Sequence, residues 1–368
     1  MDLKNKKISL RQFSIIFILS ILSPAIRLFP AQAARISGGW LTPVIAVVGF
    51  IALAVILGCL FKRNGESNLG DLCEKILGKP VGKAVMLVFF VWVMLLAAVY
   101  VRFFAHRILI SVMPETSMEF LIGGMLLLTF FSVRGGIASI GRLGEFLFNI
   151  FMLIFVVTAV LLLFEVNVVN LFPIGPGDIE PIIGSSYTFL SVWGYFLLMF
   201  FFADRVNNID KMKKNYLQTA LIICATAVVI IFVTVGALGA GTVQRLGLPF
   251  FSAVKNLALP SPLNRLEPVI ISIWTITDFM LVTMFTYTAV SLLKTIFNLS
   301  DSASGTVNAQ KIFAAPVSIL IFLLSVCLAE NIFELERFSN NFVIPVNMIM
   351  CFGLPAALLI VGKLRRVV

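Results

Sequence analysis

Four ionisable residues interrupt long apolar stretches of this chain: Arg27, Arg102, His106 and Asp278. A charge in such a setting faces a bundle interior, pairs with another group or meets a solute. Asp278 therefore needs a cation, and Arg102 or Arg27 is the expected partner. Arg102 and His106 are i and i+4, on one face of a helix. Arg27 follows Ser23-Pro24-Ala25-Ile26, where proline removes a donor and crowds the preceding turn. Trp193-Gly194-Tyr195 is a second irregular place, since glycine weakens a helix by about 1 kcal/mol relative to alanine. Helix-end N–H groups freed by a break attract a carboxylate, and freed carbonyls attract an ammonium. These residue types suit recognition of a small polar solute. The candidate contacts are Ser23, Pro24, Ala25, Ile26, Arg27, Tyr100, Trp193, Gly194, Tyr195 and Asp278. Plainer readings stand beside these. Pro24 can mark a simple kink, Gly194 close helix packing, His106 a satisfied interfacial side chain and Tyr187 a membrane-interface belt. The hydroxyls crowding residues 272–291 can bond helix to helix, bond their own carbonyls or contribute to a cation site.

Catalysis has little raw material. His106 is the only histidine, so a histidine-based zinc site or a His-dependent triad is not available. The five cysteines, Cys59, Cys73, Cys224, Cys327 and Cys351, show no Cys-x-x-Cys spacing and read as small buried apolar residues. No phosphate-cradling loop occurs. The expectation is no enzyme, no metal and no cofactor. A membrane-embedded transferase would need an acidic partner for His106, and none is near in sequence.

The elements that position these residues must span a membrane. Of 368 residues, 60% are hydrophobic and 12% charged, against roughly 45–50% and about 25% in soluble domains. The net charge of +10 then marks loops facing anionic lipid rather than a nucleic-acid partner. Ten stretches are apolar enough to be spans: Leu10–Ala31, Trp40–Phe61, Ala84–Ile110, Phe120–Val133, Leu143–Glu165, Ser185–Ala203, Tyr216–Gly239, Pro268–Lys294, Ile312–Ala329 and Phe342–Gly362. Most of the 28 Lys and Arg fall in the first arm, the last tail and alternate loops, including Lys62, Arg63, Lys75, Lys79, Lys211 and Lys213. The intervening loops carry Glu115, Glu119, Glu165, Asp178, Glu180, Glu330, Glu334 and Glu336. The bias places both termini in the cytoplasm. A basic arm, an apolar run from Phe13 to Leu22 and Ala31-Gln32-Ala33 also fit a cleaved signal peptide, which would leave nine spans.

Ten spans with both ends on one side allow two inverted five-helix repeats, approximately residues 8–166 and 180–363, within one transmembrane domain of residues 1–368. The fold class expected is an all-α integral membrane protein with its first and sixth spans broken, at Pro24 and at Gly194. Residues Cys73–Lys83 read as a short amphipathic element. The segment Gly241–Arg265, with Pro249, Pro260 and Pro262, is long enough to lid a cavity or dock a partner, and Ser300–Asn308 is a polar loop.

Four stretches resemble the GerAB-like B-subunit family of bacterial spore germination receptors. They are Lys7-Ile8-Ser9-Leu10-Arg11-Gln12; Gly135-Gly136-Ile137 with Gly141-Arg142-Leu143-Gly144-Glu145; Val169-Asn170-Leu171-Phe172-Pro173-Ile174; and Leu248-Pro249-Phe250 with Asn264-Arg265-Leu266-Glu267 and Trp274. The resemblance covers nearly the whole chain. It implies an amino acid–polyamine–organocation permease fold and a role in sensing germinant nutrients, usually amino acids, in the inner membrane of an endospore. It also implies an A subunit and a lipoprotein C subunit as partners. One departure from related permeases is that Pro24 and Arg27 stand where a glycine-rich break is usual, which leaves Arg27 itself to hold a carboxylate. An ordinary amino-acid permease of the same fold is the alternative reading.

Overall fold

The computed structural model describes residues 7–62, 64, 67–172, 174–209, 212–257, 267–299 and 309–365. Arg63, Pro173, Lys211, Pro260, Pro262, Asn264-Arg265-Leu266 and Ser300–Asn308 lie outside them, and the side chains of Lys213 and Glu267 are not described.

The chain is helical throughout these residues. It opens with α1, Leu10–Ala33. Ser9 caps it: the Ser9 hydroxyl accepts from the Gln12 N–H at 3.2 Å, and the Gln12 side chain accepts from the Ser9 N–H at 3.0 Å. The reciprocal pair satisfies two end donors. Next come α2, Thr42–Phe61, and the short α3, Leu69–Leu77. Asn68 and Asp71 form a second reciprocal cap on α3, whose Leu69, Leu72, Cys73 and Ile76 are buried. Gly78 at φ +94° ends it, and α4, Lys79–Ser111, starts at once with Pro80 in its first turn. The amphipathic element therefore stops before Lys79, earlier than the sequence reading: only a glycine tolerates that backbone conformation, and proline suits the following turn. Burial pushes the Cys73 thiol up to about 12.

Beyond α4 lie α5, Met118–Gly135, and α6, Ile137–Leu163, followed by α7, Ile179–Trp193. A 3-10 segment, Gly194–Arg205, continues α7. The rest comprises α8, Lys213–Leu238; the short α9, Pro249–Lys255; α10, Glu267–Ile296; α11, Ala309–Cys327; and the run α12, Ile332–Leu364, which holds two π-type stretches at Ser339–Val343 and Ile349–Gly353. Among the described residues nine helices are long and apolar enough to cross a membrane, with a shorter apolar helix at Lys311–Cys327. This is a multi-pass, all-α membrane protein.

Burial sorts the helices. In α1, and in α7 with its 3-10 continuation, 89% of the most apolar stretch is inside the protein, against 28% in α6 and 33% in α5. Helices apolar all round belong in a core, and those with one exposed apolar face meet lipid. The core is thus α1 and the α7/3-10 element, flanked by α4 and α10, which pack extensively on each other.

One expectation fails here. α1 is a single helix through Pro24 and Pro30, not a broken span. Proline removes N–H donors, but surrounding helices and hydroxyls can accommodate the freed backbone groups. Ser20, Ser23 and Pro24 are all buried in such surroundings. The sixth span does change, and it does so at Gly194, where the α-helix gives way to 3-10 turns; Phe202 interrupts those turns with φ −126° and ψ 26°.

The two faces of the bundle are each knitted together. On the proximal face, where α1 begins, the Ile8 N–H donates to the Arg205 carbonyl and the Asn207 N–H to the Ile8 carbonyl, both at 2.9 Å. Gln12 donates to Glu145 on α6 at 3.0 Å, and a Cβ on Gly141 would stand 2.9 Å from Ile8. The strings Lys7–Gln12 and Gly141–Glu145 are therefore one contact. On the distal face the Asn170 amide donates to the Gly236 carbonyl at 2.8 Å, which seats the Val169–Phe172 string on the end of α8.

Candidate functional site

The centre of the bundle is made by α1, α4, α10 and the junction of α7 with its 3-10 continuation. Tyr100, Phe103 and Arg107 recur at i, i+3 and i+7 on α4, so they share one face. Tyr100 reaches across to Tyr195, with hydroxyl oxygens 2.9 Å apart. Phe285 of α10 lies edge-on to Tyr195, ring centroids 5.1 Å apart, and tilted to Tyr100 at 5.9 Å. Below this aromatic group, the Arg27 guanidinium from α1 lies 3.5 Å over the ring of Phe103. A planar cation on a ring face is a favourable electrostatic arrangement. One terminal nitrogen of Arg27 is buried and donates to nothing, and no carboxylate pairs with Arg27 among the described residues.

Asp278 is paired, as a buried carboxylate must be, but neither expected arginine is its partner. Arg107 makes the ion pair, and the Ser23 hydroxyl donates to the other carboxylate oxygen. The Trp274 indole N–H donates to Ser23 at 3.2 Å, and Arg107 stacks 4.3 Å over the Trp274 ring. One network thus joins α1, α4 and α10. Arg102 points elsewhere: it donates to the carbonyls of Ser325 at 2.6 Å, Val326 at 2.8 Å and Ala329. Those carbonyls close α11, whose end carries partial negative charge, so a guanidinium is well placed there. His106 has a buried ring nitrogen without a partner and joins neither group.

Sequence reasoning missed Arg107. Its signal was the shared face with Tyr100 and Phe103, obscured because Arg102 and His106 sit deeper in the predicted span. Side chains on a helix lean toward its N-terminus, so Arg107 reaches back into the bundle toward Asp278.

Trp193 is buried against Phe29, Phe50 and Phe189, with its indole N–H unpartnered. Gly194 is closely packed rather than cavity-lining. A Cβ there would lie 2.9 Å from that of Cys351 and 3.3 Å from the Phe352 ring on α12. Asn347 ties the same two elements, donating to the Ser191 carbonyl and accepting from Trp92 at 3.1 Å. Pro24, Ala25 and Ile26 are buried in α1 and offer no opened backbone, so the expected carboxylate-binding helix break is absent there. Tyr187 is exposed, as a belt residue would be. Thr275, Thr277, Thr286 and Thr288 donate to carbonyls of α10 itself, and Thr288 also reaches the Leu198 carbonyl of the 3-10 segment at 3.3 Å, so both the helix-internal and the helix-to-helix options occur among these hydroxyls. No group of three His, Cys, Asp or Glu side chains comes together among the described residues.

The site so built has one buried guanidinium without an anion, two tyrosine hydroxyls, and a carboxylate already consumed by Arg107 and Ser23. Comparison with known proteins agrees with this architecture. The sequence profile of the family described as spore germination protein matches residues 7–334. Spore germination protein KB of Bacillus subtilis (strain 168) is 20% identical over 370 residues, covering 99% of this chain and 96% of its own length. Spore germination protein YndE of the same organism is 24% identical, covering 98% and 97%. The crystal structure of MhsT in complex with L-phenylalanine shares the fold, with a TM-score of 0.65 at 14% identity over 92% of this chain and 87% of MhsT. The chain belongs to the GerAB-like spore germination protein family, on the permease fold shared by LeuT and the amino acid–polyamine–organocation transporters.

Proposed function

We propose that this protein binds a small carboxylate-bearing solute, an amino acid first among them, at the centre of a permease-type bundle. The observation that carries the reading is that no carboxylate or carbonyl pairs with the buried Arg27 among the described residues. Buried guanidinium groups are costly unless compensated. Arg102 has three carbonyls and Arg107 has Asp278, whereas Arg27 has an aromatic face, the Tyr100 hydroxyl beside it and an unpartnered terminal nitrogen. A solute carboxylate completes it. Tyr100 and Tyr195 flank the same space and can turn their hydroxyls to the solute. Trp193, Ser23, Pro24, Ala25 and Ile26 shape the walls from α1 and the sixth span, Gly194 holds that span against α12, and Asp278 acts through Arg107 rather than on the solute. The neighbouring MhsT structure holds L-phenylalanine, which supports an amino acid as the class. In this reading the ten spans form two inverted repeats, near residues 8–166 and 180–363, in a domain of residues 1–368, with the proximal face and both termini in the cytoplasm.

Movement of the solute across the membrane is the direct use of such a site. The relatives' names favour a second reading, in which binding is sensed rather than followed by transport. The protein would then be the solute-binding subunit of a germinant receptor in the inner membrane of an endospore, assembled with an A subunit and a lipoprotein C subunit. The deciding experiment is equilibrium binding of a panel of radiolabelled amino acids to the purified protein, with Arg27→Ala and Arg27→Lys beside it. At least one amino acid should bind, Arg27→Ala should abolish binding, and Arg27→Lys should retain part of it because charge persists without the fork. Equal binding in all three sinks the proposal. Accumulation of the same label in proteoliposomes separates transport from sensing. A germination response in a strain lacking the other subunits would leave only the permease reading.

A further inference from the structure

A cavity of about 300 Å³ opens on the distal face, at the other end of α1 from the Ile8 contact. Its wall is the turn joining α1 to α2, residues 33–40, closed on the far side by Asn170, Leu171 and Phe172 and by the end of α8. It is separate from the central site, since Ala33 lies six residues beyond Arg27, about 9 Å along a helix.

The polar groups of this cup are unbalanced. Its acceptors are used: the Ala33 carbonyl takes the Ile36 N–H at 3.2 Å, the Ile36 carbonyl takes Gly39 at 3.1 Å, the Gly38 carbonyl takes Leu41 at 2.9 Å, and the Ala34 carbonyl takes the Gln244 amide at 2.6 Å. Its donors are not. The Arg35 side chain is exposed at the wall and makes no ion pair or hydrogen bond among the described residues. The Trp40 indole N–H is enclosed without an acceptor. Gly38 is buried at φ +67°, and its backbone N–H reaches no backbone carbonyl among the described residues. Buried backbone donors are almost always paired, with protein or with something else. A turn that directs N–H groups into a concavity is a common anion cradle. The α1 carbonyl end would oppose an anion, but Gln244 already occupies the Ala34 carbonyl and Arg35 offsets that charge. Phe172 in the wall is half exposed, and Val168 and Val169, shortly before it in the chain, are more so.

We propose that the distal cup is an anion site, taking a singly charged oxyanion that carries an apolar group: the carboxylate of a small solute or the phosphate of a lipid headgroup. Arg35 supplies the charge, Gly38 and Trp40 the fixed donors, and Phe172 with Val168 and Val169 the surface for the apolar part. The volume suits a headgroup or a small organic acid and excludes a peptide.

The test uses the full chain labelled with 5-fluorotryptophan, which places one fluorine on each of the four tryptophans. The Trp40 resonance is assigned by its loss in Trp40→Phe. The protein is held in dodecyl maltoside micelles, which carry no phosphate, and titrated with sodium propionate at constant ionic strength. A second preparation contains phosphatidylglycerol and no propionate. A saturable shift of Trp40 with propionate identifies a solute carboxylate. A shift on introducing phosphatidylglycerol that propionate does not add to identifies a lipid phosphate. In either case Arg35→Gln should weaken the effect at least about tenfold, the scale of one charge-assisted hydrogen bond, and Arg27→Gln should leave it unchanged. The resonances of Trp92, Trp193 and Trp274 report whether Arg35→Gln is folded, and Arg35→Lys serves in its place if they move. The proposal is overturned if neither anion moves Trp40, or if the folded Arg35 variant responds as the wild type does.

Discussion

Arg102 and Arg27 both bring a guanidinium into apolar surroundings, on neighbouring spans. Both terminal nitrogens of Arg102 donate to the carbonyls at the end of α11 while its Nε has no partner, so its charge works as a clamp between two helices. Arg27 rests on the Phe103 ring and leaves a nitrogen bare. The first arrangement has both terminal nitrogens paired within the protein and the second does not. In the reading proposed here, buried guanidinium groups divide into structural and solute-facing ones by whether the chain pairs their terminal nitrogens, which sequence depth alone does not reveal.

The sharpest way to break this contrast is through the third arginine. Asp278→Leu leaves Arg107 buried without its carboxylate and should cost about 3–5 kcal/mol, read as a lower melting temperature and yield in detergent. Adding Arg107→Met should recover most of the loss. A single variant as stable as the wild type would mean the pair is not structural. Next in size, Arg102→Met strands three carbonyls and should destabilise by about 1–3 kcal/mol while leaving solute affinity intact. Arg27→Met should do the reverse, with stability within about 1 kcal/mol of the wild type and no binding in the radioligand assay. If the two variants behave alike, the division between them fails.

Gly194→Ala tests whether the sixth span is equally closed. The new Cβ meets the Cys351 Cβ at 2.9 Å, and overpacking of this kind costs about 1–3 kcal/mol. Abundance on a blot should fall. Unchanged abundance with a shifted half-maximal solute concentration would return Gly194 to the cavity wall. The smallest effect is expected for Tyr195→Phe, which removes one hydroxyl-to-hydroxyl bond worth about 0.5–1.5 kcal/mol. It should leave the fold intact and change which amino acid in the panel binds best, if Tyr100 is then free to turn to the solute. An unaltered preference order would take the tyrosine pair out of the recognition site.

Much of this was visible in the sequence. Runs of apolar residues locate the spans, because a bilayer demands that length and nothing else does. Asp278 had to be paired, for the same reason of solvation. The partner was hidden because it depends on how α4 is rotated and on the backward lean of its side chains, and three cationic or titratable residues within six positions compete for the assignment. Pro24 looked like a break because proline is disfavoured inside a helix. Whether neighbours make the bent backbone tolerable is a property of the packed bundle. For Gly194, room for a solute and close packing have the same signature in one chain, and only the position of Cys351, far along the sequence, separates them. The proposed anion cup was invisible for a further reason: Arg35, the Trp40 indole and the Gly38 N–H share a wall only once the turn after α1 has folded against residues 170–172.

The pair of hydrogen bonds between Ile8 and the Arg205–Asn207 turn has a mechanical meaning. The foot of the first span and the foot of the sixth are joined main chain to main chain, outside the helices themselves. Ile8 therefore fixes the entry of the first span to the end of the same 3-10 segment that begins beside Tyr195, so the two core elements share one anchor as well as one packing interface.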